Sequence, residues 1–198
     1  MKHTIALALA ASLSLGLFAA PAFAQAGKDA GKDAGKDAAK GAPTVLLDTK
    51  DGRVTIRLRP DLAPKHVAQI EALTRRGFYN GIVFHRVIDG FMAQTGDPTG
   101  TGAGGSDLPN LPAEFTDKAH FVRGTVGMAR ASSPDSANSQ FFIMFDKAPS
   151  LDGKYTIVGE VTSGMDVVDK IKKGNTARNG LVENPDKIVK MQMAPAAK

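Results

Sequence analysis

The sequence predicts a mainly β fold: a closed eight-stranded antiparallel β-barrel capped by two α-helices. The 198 residues contain eight short apolar-rich runs, two helical patterns, and a high density of turn formers, with 21 Gly and 11 Pro. Closing the sheet removes exposed strand edges, and helices over the open ends bury their own apolar faces. The patterns alone also allow an open α+β sandwich.

The opening strands, residues 44–48 and 53–58, are predicted to form a hairpin. Lys50-Asp51-Gly52 between them is a turn signature, and residues 54–58 alternate apolar with polar side chains. This period of two places one face of the strand in a core. Six further strands are predicted over residues 82–87, 91–95, 125–130, 140–145, 155–161 and 188–193.

Two helices complete the prediction. Residues 64–77 begin with Pro64, which a first turn tolerates, and end at Gly77, a fitting stop after a basic last turn. Residues 165–173 carry a buried stripe of apolar side chains. Ser163 and Asp166 before and within this segment have the spacing of a capping box, and Gly174 closes it.

The amino-terminal region is predicted to lie outside the folded domain. Residues 1–24 have a basic start, an apolar run too short to span a bilayer comfortably, and Ala22-Phe23-Ala24 as a cleavage site. They predict a signal peptide and an exported protein without a stable membrane anchor; a retained anchor is the alternative. Residues 25–42 repeat Gly-Lys-Asp-Ala and predict a flexible, solvated tether rather than a helix or an interaction tail.

The remaining segment, residues 43–198, is predicted to be one self-supporting domain. Its 20 basic and 17 acidic residues give a net charge of only +3, spread over many elements, so no nucleic-acid partner is predicted. The absence of Cys excludes disulfides and thiolate metal sites. A chain of this size buries about 70% of its extended surface without cross-links. No long apolar helix or edge argues against a monomer.

Strand parity gives the first indication of a binding site. In residues 140–145, one face is uniformly apolar and belongs to a core. The mixed face, which combines amides with large apolar groups, comprises Gln140, Phe142 and Met144, together with Met92 and Gln94 of another strand. Such a surface suits a peptide groove, although ordinary amphipathic strands explain it equally well. Arg86 adds a permanent cation, which by itself is typical of a surface ion pair.

These residues carry a family resemblance. The run Phe84-His85-Arg86-Val87-Ile88-Asp89-Gly90-Phe91-Met92-Ala93-Gln94-Thr95-Gly96-Asp97 closely resembles the signature segment of the cyclophilin-type peptidyl-prolyl isomerases. Further matches follow in order as Ala63-Pro64-Lys65, Arg123-Gly124-Thr125-Val126-Gly127-Met128-Ala129-Arg130, Ser139-Gln140-Phe141-Phe142-Ile143 and Leu151-Asp152-Gly153-Lys154. The resemblance spans residues 44–193 and implies the cyclophilin-like barrel and catalysed rotation about X-Pro bonds.

The resemblance also implies residue roles. Arg86 is the expected catalytic donor to the prolyl nitrogen, and Gln94 orients its guanidinium. The expected substrate-binding residues are His85, Phe91, Met92, Ala129, Arg130, Ala131, Gln140, Phe142, Leu151 and Tyr155. His85 is given a contacting or supporting role rather than that of a general acid. Amide rotation breaks no bond, so neither a metal nor a cofactor is expected.

Three departures from the best-known family pattern refine the prediction. Ser150 stands where cyclosporin-sensitive members carry Trp, which predicts weak cyclosporin binding. Arg130 and Tyr155, where many members have Asn and His, are similar to bacterial secreted members. Residues 100–105 fit the G-x-G-x-x-G dinucleotide motif by count, but two prolines follow where that motif needs a helix, so they predict a loop bordering the groove.

The sequence therefore predicts a peptidyl-prolyl cis-trans isomerase of the bacterial periplasm. Its expected partners are proline-containing unfolded or flexible polypeptides, and it would assist the folding of exported proteins. The alternative is a non-catalytic proline-peptide binding module or chaperone that uses the same groove.

Overall fold

The computed structural model describes residues 41–195. The predicted signal peptide and nearly all of the predicted tether lie outside this range. Within it, no helix is both long enough and apolar enough to cross a membrane.

Eight strands form one antiparallel sheet. They are β1 (Thr44–Thr49), β2 (Gly52–Leu58), β3 (Arg86–Ile88), β4 (Met92–Thr95), β5 (Thr125–Met128), β6 (Phe141–Met144), β7 (Ile157–Ser163) and β8 (Lys190–Met193). Their order in the sheet is β3-β4-β6-β5-β7-β2-β1-β8. All eight predicted strands are present, with their ends shifted; the hairpin of β1 and β2 forms around the predicted turn.

The sheet curls into a half-barrel, and the structure does not show the closed barrel that the sequence predicts. Strands β3 and β8 are its two end strands. The segments that precede them approach each other through an isolated bridge between Val83 and Lys187, and Phe84 N donates to Asp186 O at 2.8 Å. Because residues 82–84 are engaged in this contact and not in a continuous ladder, β3 begins four residues later than predicted.

Helix α1 (Pro64–Arg75) has the predicted apolar face buried against the sheet. The Glu114 carboxylate caps its first turn: it accepts hydrogen bonds from the backbone N–H groups of Lys65 and His66, both at 3.1 Å. The buried His66 ring lies against the same carboxylate, with Nδ1 2.6 Å from Oε2. Three backbone and side-chain groups thus converge on one side chain from a distant loop.

Helix α2 (Met165–Lys170) is shorter than predicted, and the predicted capping box does not form. Ser163 is the last residue of β7 and pairs with Thr55, so it is not free to cap. Gly164 takes the N-cap position with a φ of 91° and no side-chain cap. A Cβ there would lie 2.3 Å from Arg53 O, so glycine is required. Three short 3₁₀ turns, Pro134–Ser136, Pro149–Leu151 and Thr176–Arg178, were not predicted.

The sheet separates two apolar clusters. In β6, Phe141 and Ile143 belong to the larger cluster, between the sheet and the helices. Phe142 and Met144 point the other way and join a smaller cluster, completed by Met92, Phe121, Ala148 and Ile157. The predicted core face is confirmed, and the apolar members of the mixed face are also buried, with Phe142 5% exposed, while Gln94 and Gln140 are half-buried. This second cluster supports the site described next.

Candidate functional site

Two adjoining cavities lie on the outer face of the sheet. The first, here called the inner pocket, has a volume of about 160 Å³ and is lined by Arg86, Phe91, Met92, Gln94, Ala129, Arg130, Phe142, Leu151 and Tyr155. The second, the side groove, has about 550 Å³ and adds Ala131 and Gln140 beside the loop of residues 102–106. All the residues that line the inner pocket belong to the predicted site. A larger cavity of about 720 Å³, around Phe115 and Asp152, contains none of them.

The wall of the inner pocket is aromatic. Strand register brings Gln94 opposite Phe142 across β4 and β6. The Phe142 ring stacks on Phe121 with centroids 5.7 Å apart and meets Tyr155 edge-on at 5.9 Å. Gly127 lets the two phenylalanine rings come together, because a Cβ there would lie 2.6 Å from each. Sequence analysis did not identify Phe121, which no motif distinguished from an ordinary core residue.

Three hydrogen bonds hold the Arg86 guanidinium at the rim of this pocket. Arg86 and Gln94 are register partners of β3 and β4, and Nη1 donates to Gln94 Oε1 at 3.1 Å. Nε donates to Asn179 O and Nη2 to Asn179 Oδ1, both at 3.0 Å. Partial burial lowers the pKa of Arg86 from its ordinary value, because desolvation disfavours the cation.

Asn179 is a site residue that sequence analysis missed. It follows the 3₁₀ turn Thr176–Arg178 and has a φ of 54°, in the left-handed region. Asparagine tolerates this conformation better than most residues, and Asn-Gly pairs are typical of such turns. The Asn179-Gly180 dipeptide was therefore a signal for the turn, but nothing in it pointed to Arg86, which is far away along the chain.

A chain of amides continues from Arg86 to the side groove. Gln94 Nε2 donates to Gln140 Oε1 at 2.9 Å, and Gln140 Nε2 donates to Gly102 O and Gly104 O at 3.0 and 2.8 Å. Carbonyl oxygens only accept and a guanidinium only donates, so each end of the chain fixes the orientation of both amides. Gln94 consequently presents its oxygen to Arg86, as the predicted orienting role requires.

The glycine-rich loop at the end of this chain is built around Asp97. Its carboxylate accepts hydrogen bonds from the backbone N–H groups of Thr99, Gly102 and Gly104, at 2.8, 2.6 and 3.2 Å. Burial alone would raise the pKa of Asp97, but these bonds and that from the Thr99 hydroxyl lower it to about 2. The prediction of a loop bordering the groove is confirmed, since no helix follows it.

The structure does not bring His85 into either cavity. His85 as a whole is 4% exposed, and neither ring nitrogen has a hydrogen-bond partner among residues 41–195. Burial lowers its pKa, with the Asp97 carboxylate opposing this effect. His85 therefore lines neither cavity, and its predicted contact with substrate stays a prediction.

Arg130 stands between the inner pocket and the side groove and lines both. Nε and Nη2 donate to Lys154 O at 3.2 and 3.1 Å, and Nη1 donates to Ala131 O and Ser132 O at 3.0 and 3.3 Å. Its guanidinium carbon lies 4.6 Å from the ring centroid of Tyr155. The neutral backbone acceptors and the ring fix this side chain in place.

Comparison with known proteins gives one consistent family. A family model described as cyclophilin type peptidyl-prolyl cis-trans isomerase matches residues 44–193. A probable peptidyl-prolyl cis-trans isomerase of Brucella suis is 64% identical, covering 74% of this chain and 80% of that protein. The peptidyl-prolyl cis-trans isomerase-like 1 of Aspergillus fumigatus is 44% identical, covering 66% and 82%.

Two solved structures have a similar fold. One is a cyclophilin type peptidyl-prolyl cis-trans isomerase of Cryptosporidium parvum in the presence of the dipeptide Ala-Pro, with a TM-score of 0.70 and 29% identity over 77% of this chain and 99% of that one. The other is the cyclophilin AquaCyp293 from Hirschia baltica, with a TM-score of 0.65 and 31% identity over 75% and 72%.

Proposed function

This chain belongs to the cyclophilin-type peptidyl-prolyl cis-trans isomerases, and from that membership we propose that Arg86 is its catalytic group and exported polypeptides are its substrates. The observation that carries the catalytic assignment is a guanidinium held by three neutral acceptors at the rim of a small apolar pocket. The pocket has the size and apolar lining that a proline ring needs, and we infer that the guanidinium at its rim faces the ring nitrogen of a bound proline.

The chemistry needs a donor and no nucleophile. Rotation about an X-Pro bond faces a barrier of about 18–20 kcal/mol, because resonance gives the C–N bond partial double-bond character. As the amide twists, the nitrogen regains its lone pair and becomes a hydrogen-bond acceptor. A donor aimed at it stabilises the transition state and not the planar ground states, so it lowers the barrier.

Arg86 has donors available for this role. A guanidinium carries five N–H groups. Asn179 and Gln94 take three of them, and a fourth, on Nη1, has only the Met92 sulfur at 3.9 Å. The remaining one, on Nη2, has no partner among the described residues. Gln94 and Asn179 hold the group, and its other donors serve the prolyl nitrogen.

The inner pocket supplies the fixed end of the rotating bond. Phe91, Met92, Phe142 and Leu151 line it with apolar surface, which holds the ring while the preceding carbonyl turns. The Cryptosporidium relative, described in the presence of Ala-Pro, supports binding of a proline peptide here.

The peptide on the amino-terminal side of the proline would follow residues 129–131. Ala129 N already donates to Gln140 O, and Ala131 N donates to Ser136 Oγ, both at 2.9 Å. In the described hydrogen bonds this leaves Arg130 N–H and Ala129 C=O for a substrate backbone. We therefore expect an extended peptide to add one pair of hydrogen bonds at this point.

The test is cis-to-trans exchange of a short X-Pro peptide, measured by NMR exchange spectroscopy for wild type and Arg86→Ala. Catalysis by wild type with loss in the variant supports the assignment. Equal catalysis by both would show that Arg86 is not the catalytic group. Peptide binding without catalysis by wild type would favour the alternative, a binding module or chaperone.

Ser150 supports the further proposal that cyclosporin binds weakly. It lies in the 3₁₀ turn Pro149–Leu151 beside the inner pocket, exposed and without the large ring and indole N–H of sensitive members. Inhibition of peptide exchange by submicromolar cyclosporin would contradict this proposal.

Export to the bacterial periplasm rests on the pattern of residues 1–24, with its basic start, apolar run and Ala-Phe-Ala site. The expected product is a monomeric enzyme that begins at Gln25 and carries the repeat as a tether. Mass spectrometry of the protein recovered from a periplasmic fraction tests this. An uncleaved amino terminus, or recovery in the cytoplasm alone, would refute it.

A further inference from the structure

The arginines of this chain fall into two groups. Seven of the nine lie within 4.0 Å of an Asp or Glu oxygen, and they are Arg53, Arg57, Arg59, Arg75, Arg76, Arg123 and Arg178. The other two, Arg86 and Arg130, have no carboxylate partner among residues 41–195. Both line the inner pocket. The unneutralised arginine charge is therefore concentrated at the site.

The rest of the site does nothing to neutralise these two cations. The inner pocket and the side groove are lined by apolar side chains, amides, hydroxyl groups and glycines, with no Asp or Glu in either lining. Cavities bordered by charge of one sign and by low-dielectric walls concentrate the electrostatic potential. A peptide bound there meets a positive field from Arg86 on one side and Arg130 on the other.

Of the two arginines, Arg130 is the one placed to interact with a substrate side chain. The amides and Asn179 hold Arg86 toward the proline ring, whereas Arg130 borders the side groove, beside the path proposed for the residues before proline. Its four hydrogen bonds go to backbone carbonyls, which fix the group without cancelling its charge. One of its five N–H groups has no partner in the described chain. The positive charge of Arg130 is thus held in place before a substrate binds.

We propose that Arg130 makes this enzyme selective for substrates with an acidic residue among the two positions before proline, an inference that rests on the proposed function. A substrate carboxylate at one of these positions would form an ion pair with Arg130, which has no carboxylate partner among residues 41–195. Because the side chain is partly exposed, the gain is that of a surface pair, about three- to fivefold in kcat/KM for Glu over Gln at low salt. Lys should be poorer than Gln.

The experiment uses acetylated and amidated peptides, so that terminal charges do not contribute. Exchange rates are compared for Ac-Ala-Xaa-Pro-Phe-NH2 and Ac-Xaa-Ala-Pro-Phe-NH2, with Xaa as Glu, Gln or Lys. We expect the order Glu, Gln, Lys in at least one series. The spread should shrink as ionic strength rises from about 0.01 to 1 M, since the screening length falls about tenfold. Equal rates in both series at low salt would overturn the proposal.

Variants locate the effect. Arg130→Gln should lower the ratio of the Glu rate to the Lys rate toward 1, and Arg130→Glu should lower it further, to below 1. Arg53→Gln removes the same charge from a surface pair with Asp48, so it should leave the ratio unchanged. A ratio that survives in both Arg130 variants, or falls equally in Arg53→Gln, would refute the role of Arg130. Thermal melting identifies a misfolded variant, and the salt series on wild type tests the selectivity without any substitution.

These outcomes are distinct from a failure of the proposed function. If wild type does not accelerate exchange of Ac-Ala-Ala-Pro-Phe-NH2, the isomerase assignment itself fails. If it does so but ignores the charge of Xaa, only the selectivity is wrong.

Discussion

Removal of the Asn179 side chain tests how Arg86 is positioned. Asn179→Gly keeps the residue able to adopt the observed φ of 54° and keeps the backbone oxygen that accepts from Nε. It deletes only the 3.0 Å hydrogen bond between Oδ1 and Nη2. The perturbation therefore removes one of three restraints on the guanidinium and leaves its charge intact.

The expected loss follows from that contact. A hydrogen bond to a charged group contributes about 1.5–3 kcal/mol, and this one is exposed, so the lower end applies. At about 1.36 kcal/mol per tenfold, kcat/KM should fall roughly tenfold. The fall should appear in kcat, with KM nearly unchanged, because the substitution leaves intact the apolar pocket proposed to bind the proline ring.

The assay is peptide exchange at several substrate concentrations, with Asn184→Gly as the matched control. Asn184 is the other non-glycine residue with a positive φ among those described, at 50°, and Arg86 makes none of its hydrogen bonds to it. Both variants gain the same backbone freedom, so the control separates loop flexibility from the lost hydrogen bond. The Nε chemical shift of Arg86 should change in Asn179→Gly alone. An unchanged kcat, or equal losses in the two variants, would refute the positioning role.

Three further predictions concern stability. His85 is buried and its pKa is lowered, so below about pH 6.5 the unfolded chain binds a proton that the folded chain does not. In urea titrations, wild type should therefore lose stability from pH 7.5 to 5.5, and His85→Phe should lose less. A larger loss in His85→Phe would contradict this account. Gly96→Ala should cost more than about 2 kcal/mol in the same assay, because its Cβ would lie 2.3 Å from Ser139 O at a φ of 91°; a cost below about 0.5 kcal/mol would be inconsistent with that contact. Glu114→Gln weakens a cap shared by two backbone N–H groups and His66. The loss of about 1–2 kcal/mol in the free energy of unfolding should lower the midpoint of thermal unfolding by several degrees. An unchanged midpoint would exclude the capping role.

Alternation along strands made much of this site predictable. The apolar face of residues 140–145 is the face that enters the larger cluster, and the mixed face meets Met92 and Gln94 across β4 and β6. Strand alternation depends only on local geometry, so it can be predicted from neighbouring residues. The motif resemblance then identified every residue that lines the inner pocket.

What the sequence did not predict depends on contacts between distant segments. Asn179 reaches Arg86 from 93 positions away, and Glu114 caps a helix 48 positions earlier. Phe121 stacks on Phe142 only because Gly127 leaves room between them. His85 belongs to a recognisable motif, but its burial depends on the loop that contains Gly102, where an added Cβ would lie 3.4 Å from the His85 ring. Periodicity carries no information on these approaches.

Phe141 and Phe142 are consecutive residues with the same side chain, yet they belong to clusters on opposite faces of one sheet. Replacement of the first opens a cavity among core residues, whereas replacement of the second changes the lining of the inner pocket. A substitution scan of β6 should therefore show altered substrate preference at Phe142, the β6 residue that lines the inner pocket, and loss of soluble protein at Phe141, Ile143 and the fully buried Met144. A substitution at Phe142 alone can therefore change the pocket, while the residues on either side of it are constrained by folding.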